Sequence, residues 1–231
     1  MSAPFTVLVV CTGNMNRSAL GHVLLDTWAG WYLPTEATGE VRITSAGLRA
    51  PEGSTMGRRS KVIAEALGAD GSAHRARQIS EAAIRDADLV LVSSARQRDD
   101  VLGLVPGALR STFTIREAGR IADLLEASAA PTTAEEMRAR VAKLAENRAM
   151  APGTGDDDDI VDPQGRDDDD YRLMARQEVP ALTSIAGLLF GMPEGEAAAY
   201  AEAVEAARFG LEGEPEPAAS DGERPRGRRQ A

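Results

Sequence analysis

The chain has 231 residues, 43% of them hydrophobic and 27% charged, with a formal net charge of −10. That length supports one sizeable domain with some excess, and the acidic balance provides no basic patch of the kind nucleic-acid binding requires. No apolar run reaches the roughly 18–20 residues of a membrane span, the N-terminus lacks a basic region followed by an apolar core and cleavage site, and one cysteine cannot form an internal disulfide, so a reducing, cytoplasmic setting is expected.

The first predicted element is a buried strand, Phe5-Thr6-Val7-Leu8-Val9-Val10. Leu20, Val23, Leu24, Trp28 and Trp31 then recur at helical spacing. Between them lies a tight loop, Cys11-Thr12-Gly13-Asn14-Met15-Asn16-Arg17-Ser18, which holds the only cysteine. Phosphoryl transfer through sulfur needs such parts. Backbone N–H groups at a helix N-terminus bind an anion and favour a thiolate. Gly13 lets the backbone close around a phosphate. The guanidinium of Arg17 can hold two phosphate oxygens at once, and Ser18 can donate to the sulfur. Cys-x5-Arg alone is a weak signal; between a strand and a helix it is a strong one. The plainer alternative is a small core thiol beside a solvent arginine.

A second strand is expected at Val41-Arg42-Ile43-Thr44, ending at Ser45-Ala46-Gly47, and a helix over 55–67 with Gly68 just past its end. The turn His74-Arg75-Ala76-Arg77-Gln78 leads to a short helix. Leu89-Val90-Leu91-Val92 reads as a strand buried on both faces. A helix from about Ala95 to Leu102, a fourth strand at Phe113-Thr114-Ile115 and a helix over 117–127 follow. Strands alternating with helices predict an α/β fold: three α/β/α layers around a four-stranded parallel, Rossmann-like sheet, with the phosphate loop after strand 1.

Thr133-Ala134-Glu135-Glu136 predicts a capping box, and Met137, Val141 and Leu144 an amphipathic helix to about Asn147, either on the domain or over the site. Residues 156–170 hold nine aspartates and one arginine. Asp156–Asp159 lack the spacing of a calcium loop and read as a solvated run, with no metal expected. Asp167–Asp170 suit the start of a long helix. Tyr171, Met174, Leu182, Ile185 and Leu189 line one face of it, and Pro180 is expected to kink or break it. A last helix spans about 194–209, giving a domain over 1–209 and a disordered tail over 210–231.

The loop Cys-Thr-Gly-Asn-Met-Asn-Arg-Ser resembles the phosphate loop of the low-molecular-weight protein tyrosine phosphatases, and the resemblance extends to about residue 190. It implies that Cys11 is the nucleophile and that Thr12, Gly13, Asn14, Met15, Asn16, Arg17 and Ser18 bind phosphate. It also implies that Asn14 is held by Ser45 and His74. Ile160-Val161-Asp162-Pro163 resembles the family's Asp-Pro-aromatic motif, which makes Asp162 the general acid. His22 matches no functional position of the family and reads as structural. Residues 128–155 look like an insertion relative to compact members.

Four positions depart from the family pattern. Asn16 stands where a second cysteine is frequent, and Ala19 where proline usually follows Arg-Ser. Gln164 and the Leu48-Arg49-Ala50-Pro51 loop stand where aromatics wall a phenyl slot. The expected function is a phosphomonoesterase acting through a cysteinyl phosphate, on a phosphorylated protein or small phosphomonoester, without a cofactor. Alternatives are an arsenate reductase coupled to an external low-molecular-weight thiol, and an inactive phosphate-binding module.

Overall fold

The apolar runs of the sequence become a parallel sheet in the computed structural model, which describes residues 3–125, 129–153, 155–206 and 209–211. The strands are β1 (Phe5–Cys11), β2 (Val41–Gly47), β3 (Leu89–Val92) and β4 (Thr112–Thr114), in the spatial order β2-β1-β3-β4. The helices are α1 (Arg17–Tyr32), α2 (Thr35–Thr38), α3 (Arg58–Ala66), α4 (Glu81–Arg85), α5 (Ala95–Leu104), α6 (Ile115–Ala122), α7 (Ala134–Glu146), α8 (Gly155–Asp158), α9 (Asp168–Phe190) and α10 (Glu194–Ala206).

Side-chain alternation along β1 divides the core. Phe5, Val7 and Val9 pack with α1, α3, α6, α7, α9 and α10 on one face. Leu8 and Val10 pack with Ile84, Val101 and Val105 on the other, under α4 and α5. A two-residue period sends successive side chains to opposite faces, so the two inner strands are apolar on both, apart from Thr6 near the start of β1. The register pairs Cys11 with Gly47, bringing the ends of β1 and β2 level where the phosphate loop begins.

Several boundaries differ from the sequence reading. Ile115 opens α6 instead of closing β4, because Thr114 accepts from the Glu117 N–H and the Glu117 carboxylate accepts from the Thr114 N–H. That capping box starts the helix two residues early. Trp31 shares the helical spacing of α1 yet is 55% exposed. Pro180 does not break α9, which runs as one helix of 23 residues. The hydroxyls of Thr183 and Ser184 donate to the Pro180 carbonyl, and Val179, Leu182 and Ile185 are fully buried around it.

The helix in the insertion lies on the domain. Met137 and Leu144 of α7 are fully buried in the core beside β1, and Arg138 pairs with Asp88 at 2.8 Å. Thr133 caps α7 through the Glu136 N–H, but the Glu136 carboxylate receives the Thr132 N–H, so the expected box closes one residue early. At the other end, Phe209 and Leu211 are buried, so packing reaches two residues past the boundary expected at 209. The rest of the expected tail, 212–231, lies outside the described residues.

Candidate active site

Cys11 is the last residue of β1 and Arg17 the first of α1, so the loop between them wraps the helix N-terminus. Cys11 Sγ lies 3.0 Å from Ser18 Oγ and receives the Asn14 N–H at 3.2 Å. The loop depends on Asn14, the one described non-glycine residue at positive φ, 54°. Such a conformation is strained for most residues and persists only where neighbours hold it.

Those neighbours are specific. Asn14 Nδ2 donates to Ser18 Oγ at 2.9 Å, and its Oδ1 accepts the Arg77 N–H at 2.9 Å. His74 Nε2 sits 2.8 Å from the Asn14 carbonyl; a carbonyl only accepts, so this nitrogen carries the hydrogen. Burial lowers the His74 pKa, with Arg77 and Arg75 adding to it and the Asn14 bond opposing it.

Ser45 does not take the expected place on Asn14. Its hydroxyl bonds His22 Nδ1 at 3.1 Å, and the His22 ring meets His74 edge-on at 5.9 Å. Ser45 therefore supports Asn14 at two removes, through His22, the residue read as merely structural. Burial, then the charges of His74 and Arg77, bring the His22 pKa down to about 4.

The rest of the loop is tied to both sheet neighbours. Leu48 and Arg49 N–H groups bond the carbonyls of Cys11 and Thr12 at 2.9 and 2.8 Å. Gly47 leaves no room for more: a Cβ there would lie 2.8 Å from the Thr12 carbonyl oxygen and 2.9 Å from the Asn14 nitrogen. Thr12 Oγ1 accepts from Gln97 Nε2 at 3.1 Å, and Gln97 is itself fixed by the Ser93 N–H. Gly13 and Met15 complete the loop, the Met15 carbonyl accepting the Gly57 N–H.

Asp162 is brought to Arg17. Its Oδ2 lies 2.6 Å from Arg17 Nη2, while Arg17 Nη1 donates to the Ile160 carbonyl at 3.2 Å. The Arg17 side chain is 5% exposed and that of Asp162 46%, so the carboxylate reaches in from the mouth of the site. Thr12, Arg17 and Asp162 line one cleft of about 510 Å³, together with the apolar Leu48, Ile160, Val161 and Leu173 and with polar or charged residues, and without an aromatic side chain.

Asp156, Asp157 and Asp159 are exposed, as expected of a solvated run, but Asp158 is buried and the backbone of the run is held. Arg116 donates to the carbonyls of Asp156 and Asp159, Arg120 to that of Asp157, and Arg120 pairs with Asp158 at 2.5 Å. Asp159 Oδ1 accepts the Ala95 N–H at the start of α5. The run is docked between α5 and α6, and Asp156 and Asp159 line the cleft. Among the described residues, no three acidic, histidine or cysteine side chains converge as metal ligands.

Sequence reasoning missed Gln97, Ser60, Arg77 and Glu178. Glu178 alone left a readable sign: it is a charged residue on the apolar stripe of α9, four positions from both Met174 and Leu182. The others act through a backbone group or at long range.

Residues 6–117 match the family model described as low molecular weight phosphotyrosine protein phosphatase. A probable low-molecular-weight protein-tyrosine-phosphatase, EpsP of Ralstonia solanacearum, is 31% identical over 112 residues, 48% of this chain and 71% of EpsP. A protein-arginine-phosphatase of Geobacillus stearothermophilus is 29% identical over 150 residues, 62% of this chain and 95% of that protein. In fold, the chain resembles the YwlE arginine phosphatase of that organism, with a TM-score of 0.54, 24% identity, and coverage of 88% of this chain and 98% of that one. It also resembles Vibrio vulnificus Wzb in complex with benzylphosphonate, with a TM-score of 0.51, 18% identity, and coverage of 86% and 97%. The chain belongs to the low-molecular-weight protein-tyrosine-phosphatase family, hydrolases of phosphoric monoesters.

Proposed function

We propose that the protein dephosphorylates phosphorylated protein side chains or small phosphomonoesters through a phosphocysteine intermediate. The observation that carries the reading is the pairing of Arg17 with Asp162 at 2.6 Å over a loop in which Cys11 Sγ receives the Asn14 N–H and contacts Ser18 Oγ. An incoming phosphate takes over the Arg17 guanidinium and frees the Asp162 carboxyl toward the leaving atom. The Cys11 thiolate attacks phosphorus, forming the P–S bond as the bond to the leaving group breaks, and Asp162 supplies the leaving group's proton. Asp162 then takes a proton from water, which attacks phosphorus and breaks the P–S bond, restoring the thiolate. Loop N–H groups and Arg17 carry the charge on the phosphoryl oxygens throughout.

The relatives named above are phosphatases, which puts a thiol-coupled arsenate reductase behind this reading. Cysteine, arginine and acid gathered at one loop argue against an inactive binding module.

The cleft wall favours phosphoarginine as a second substrate reading. A phenyl ring is best held between flat apolar walls. Here the apolar residues Leu48, Ile160, Val161 and Leu173 are all aliphatic and share the wall with Asp100, Asp156 and Asp159 on one hand and Arg49, Arg96 and Arg166 on the other. Carboxylates at the mouth suit a guanidinium leaving group, and one relative bears the name protein-arginine-phosphatase. In that case a P–N bond breaks and Asp162 protonates nitrogen.

The test is phosphate release from phosphoarginine and phosphotyrosine peptides of one sequence, for wild type and Cys11→Ser. Turnover is expected to be lost in the serine variant; a higher kcat/KM on phosphoarginine would support the second reading, and a higher one on phosphotyrosine the first. Activity of Cys11→Ser within tenfold of wild type would remove Cys11 from the mechanism.

A further inference from the structure

A second cavity, of about 180 Å³, lies where α1 meets the end of β2 and the segment 70–77. It shares no lining residue with the cleft of Arg17 and Asp162. His22 and Asp26 stand one turn apart on α1, so one helix face supplies both. Ser45 comes from β2, His74 and Arg77 from the segment 70–77, and Val23 and Ala73 add apolar wall.

Three groups around this cavity lack partners. His74 is only 6% exposed, and its Nε2 hydrogen goes to the Asn14 carbonyl, so Nδ1 keeps a lone pair to which no described residue donates. The Asp26 carboxylate and the Arg77 guanidinium both line the cavity, yet neither has a hydrogen bond or ion pair among the described residues, with the other or elsewhere. The remaining polar groups are engaged. Asp70 accepts the Ser72 N–H and hydroxyl, Arg75 donates to the Ser72 and His74 carbonyls, and His22 Nδ1 bonds Ser45.

Those three groups set the ligand. A carboxylate and a bare imidazole nitrogen call for a donor with several hydrogens, and a guanidinium calls for a carboxylate. A simple cation would face the Arg75 and Arg77 charges, and a simple anion those of Asp26 and Asp70. One molecule that carries both charges satisfies all three. A cavity of ~150 Å³ takes a benzene ring, so this one suits roughly six to nine heavy atoms.

We propose that this cavity binds a small neutral amino acid as its zwitterion, the ammonium on the Asp26 carboxylate and His74 Nδ1 and the α-carboxylate on the Arg77 guanidinium. Occupancy reaches the phosphate loop through His74. A cation donating to Nδ1 polarises the ring and strengthens the Nε2–H bond to Asn14, the residue at positive φ on which the loop depends. The coupling rests on the phosphate-loop reading above; binding of the amino acid does not.

The experiment is calorimetric titration of the full chain with L-serine and with L-valine, beside acetate and methylammonium, which carry one charge each. An amino acid should bind with a Kd of about 1 mM, the order expected for so few atoms, and the two single-charge probes at least about tenfold more weakly. Asp26→Asn and Arg77→Gln should each weaken amino-acid binding about tenfold, as for one charge-assisted hydrogen bond. Both residues are exposed at the rim, and melting temperatures without ligand verify that the variants fold. Saturating amino acid should lower the inhibition constant of inorganic phosphate about fivefold.

No heat and no rise in melting temperature with either amino acid at about 20 mM would overturn the proposal. So would acetate binding as tightly as the amino acids, or wild-type affinity in either folded variant. Phosphate that inhibits equally with and without bound amino acid would overturn the coupling alone. Phosphate that does not inhibit at all would defeat the phosphatase reading, and the titrations would still decide the amino-acid site.

Discussion

Asn16 Nδ2 donates to Gln164 Oε1 across 2.8 Å, joining the phosphate loop to the loop that carries Asp162. Both are positions at which the sequence departs from the family pattern, and in the fold they bond each other. Ser60 Oγ holds the other end of the Asn16 amide at 2.9 Å, so the amide is fixed on both sides. Two residues far apart in the sequence form a clasp between the phosphate loop and the loop of Asp162.

Loss of the clasp is expected to affect turnover more than binding. Gln164→Ala should lower kcat about fivefold, equivalent to one neutral hydrogen bond of ~1 kcal/mol. The inhibition constant of inorganic phosphate should stay near wild type, because Arg17 and the loop N–H groups are untouched. Parallel steady-state and phosphate-inhibition measurements check this. A raised phosphate inhibition constant with normal kcat would place the clasp in binding instead.

Removing the acid should separate chemistry from affinity. Asp162 Oδ2 occupies Arg17 Nη2 in the free protein, so a phosphate must displace it. Asp162→Ala is expected to lower kcat by about 10²–10⁴-fold, the range for loss of a general acid, and to tighten phosphate binding. Single-turnover rates and phosphate titrations on one preparation read both effects. Weaker phosphate binding in the alanine variant would show that the carboxylate does not compete for the guanidinium.

Gly47→Ala tests how closely β2 supports the loop. The added methyl would meet the Thr12 carbonyl and the Asn14 nitrogen at under 3 Å, and both belong to backbone that cannot turn aside. The loop must shift as a body. A displacement near 1 Å at reacting groups lowers rates on the order of 10²-fold, so kcat/KM should fall by about that much while the protein stays folded. Circular dichroism together with kcat/KM distinguishes a displaced loop from an unfolded chain.

The half-buried His22 and the buried His74 predict an acid-sensitive fold. The His22 pKa is lowered from 6.5 to about 4, first by burial and then by the charges of His74 and Arg77. The unfolded chain therefore binds a proton between pH 6.5 and about 4 that the folded chain refuses. Stability from this group is complete above pH 6.5 and is lost as pH falls through 4, by roughly 3 kcal/mol in all. His74 shifts in the same direction and adds to the loss. His22→Gln should flatten the fall in the urea midpoint between pH 7 and pH 4.5. An equally steep fall in the variant would assign the sensitivity to other groups.

Short windows of the sequence were enough for much of the architecture. Apolar runs at Val7–Val10 and Leu89–Val92 identify the inner strands, because a strand covered on both faces is apolar on both. The loop between Cys11 and Arg17 is legible because it is seven consecutive residues bounded by a strand and a helix. Caps such as Thr133 and Asp167 are equally local, since each bonds an N–H two or three residues along.

What the tertiary structure alone decided are contacts between distant residues. Asn16 and Gln164 are 148 positions apart, and only the packing of α9 against α1 brings Glu178 into the interior against Gly21. Ser45 faces His22, and not Asn14, because β2 and α1 are adjacent at that level. The acidic run is docked because Arg116 and Arg120 of α6 meet its carbonyls. Pro180 leaves α9 whole because a buried face anchors the helix on both sides of it, where propensity alone reads a break. Each of these depends on which surfaces the core presses together, a choice made by burial over the whole chain and not by any window of it.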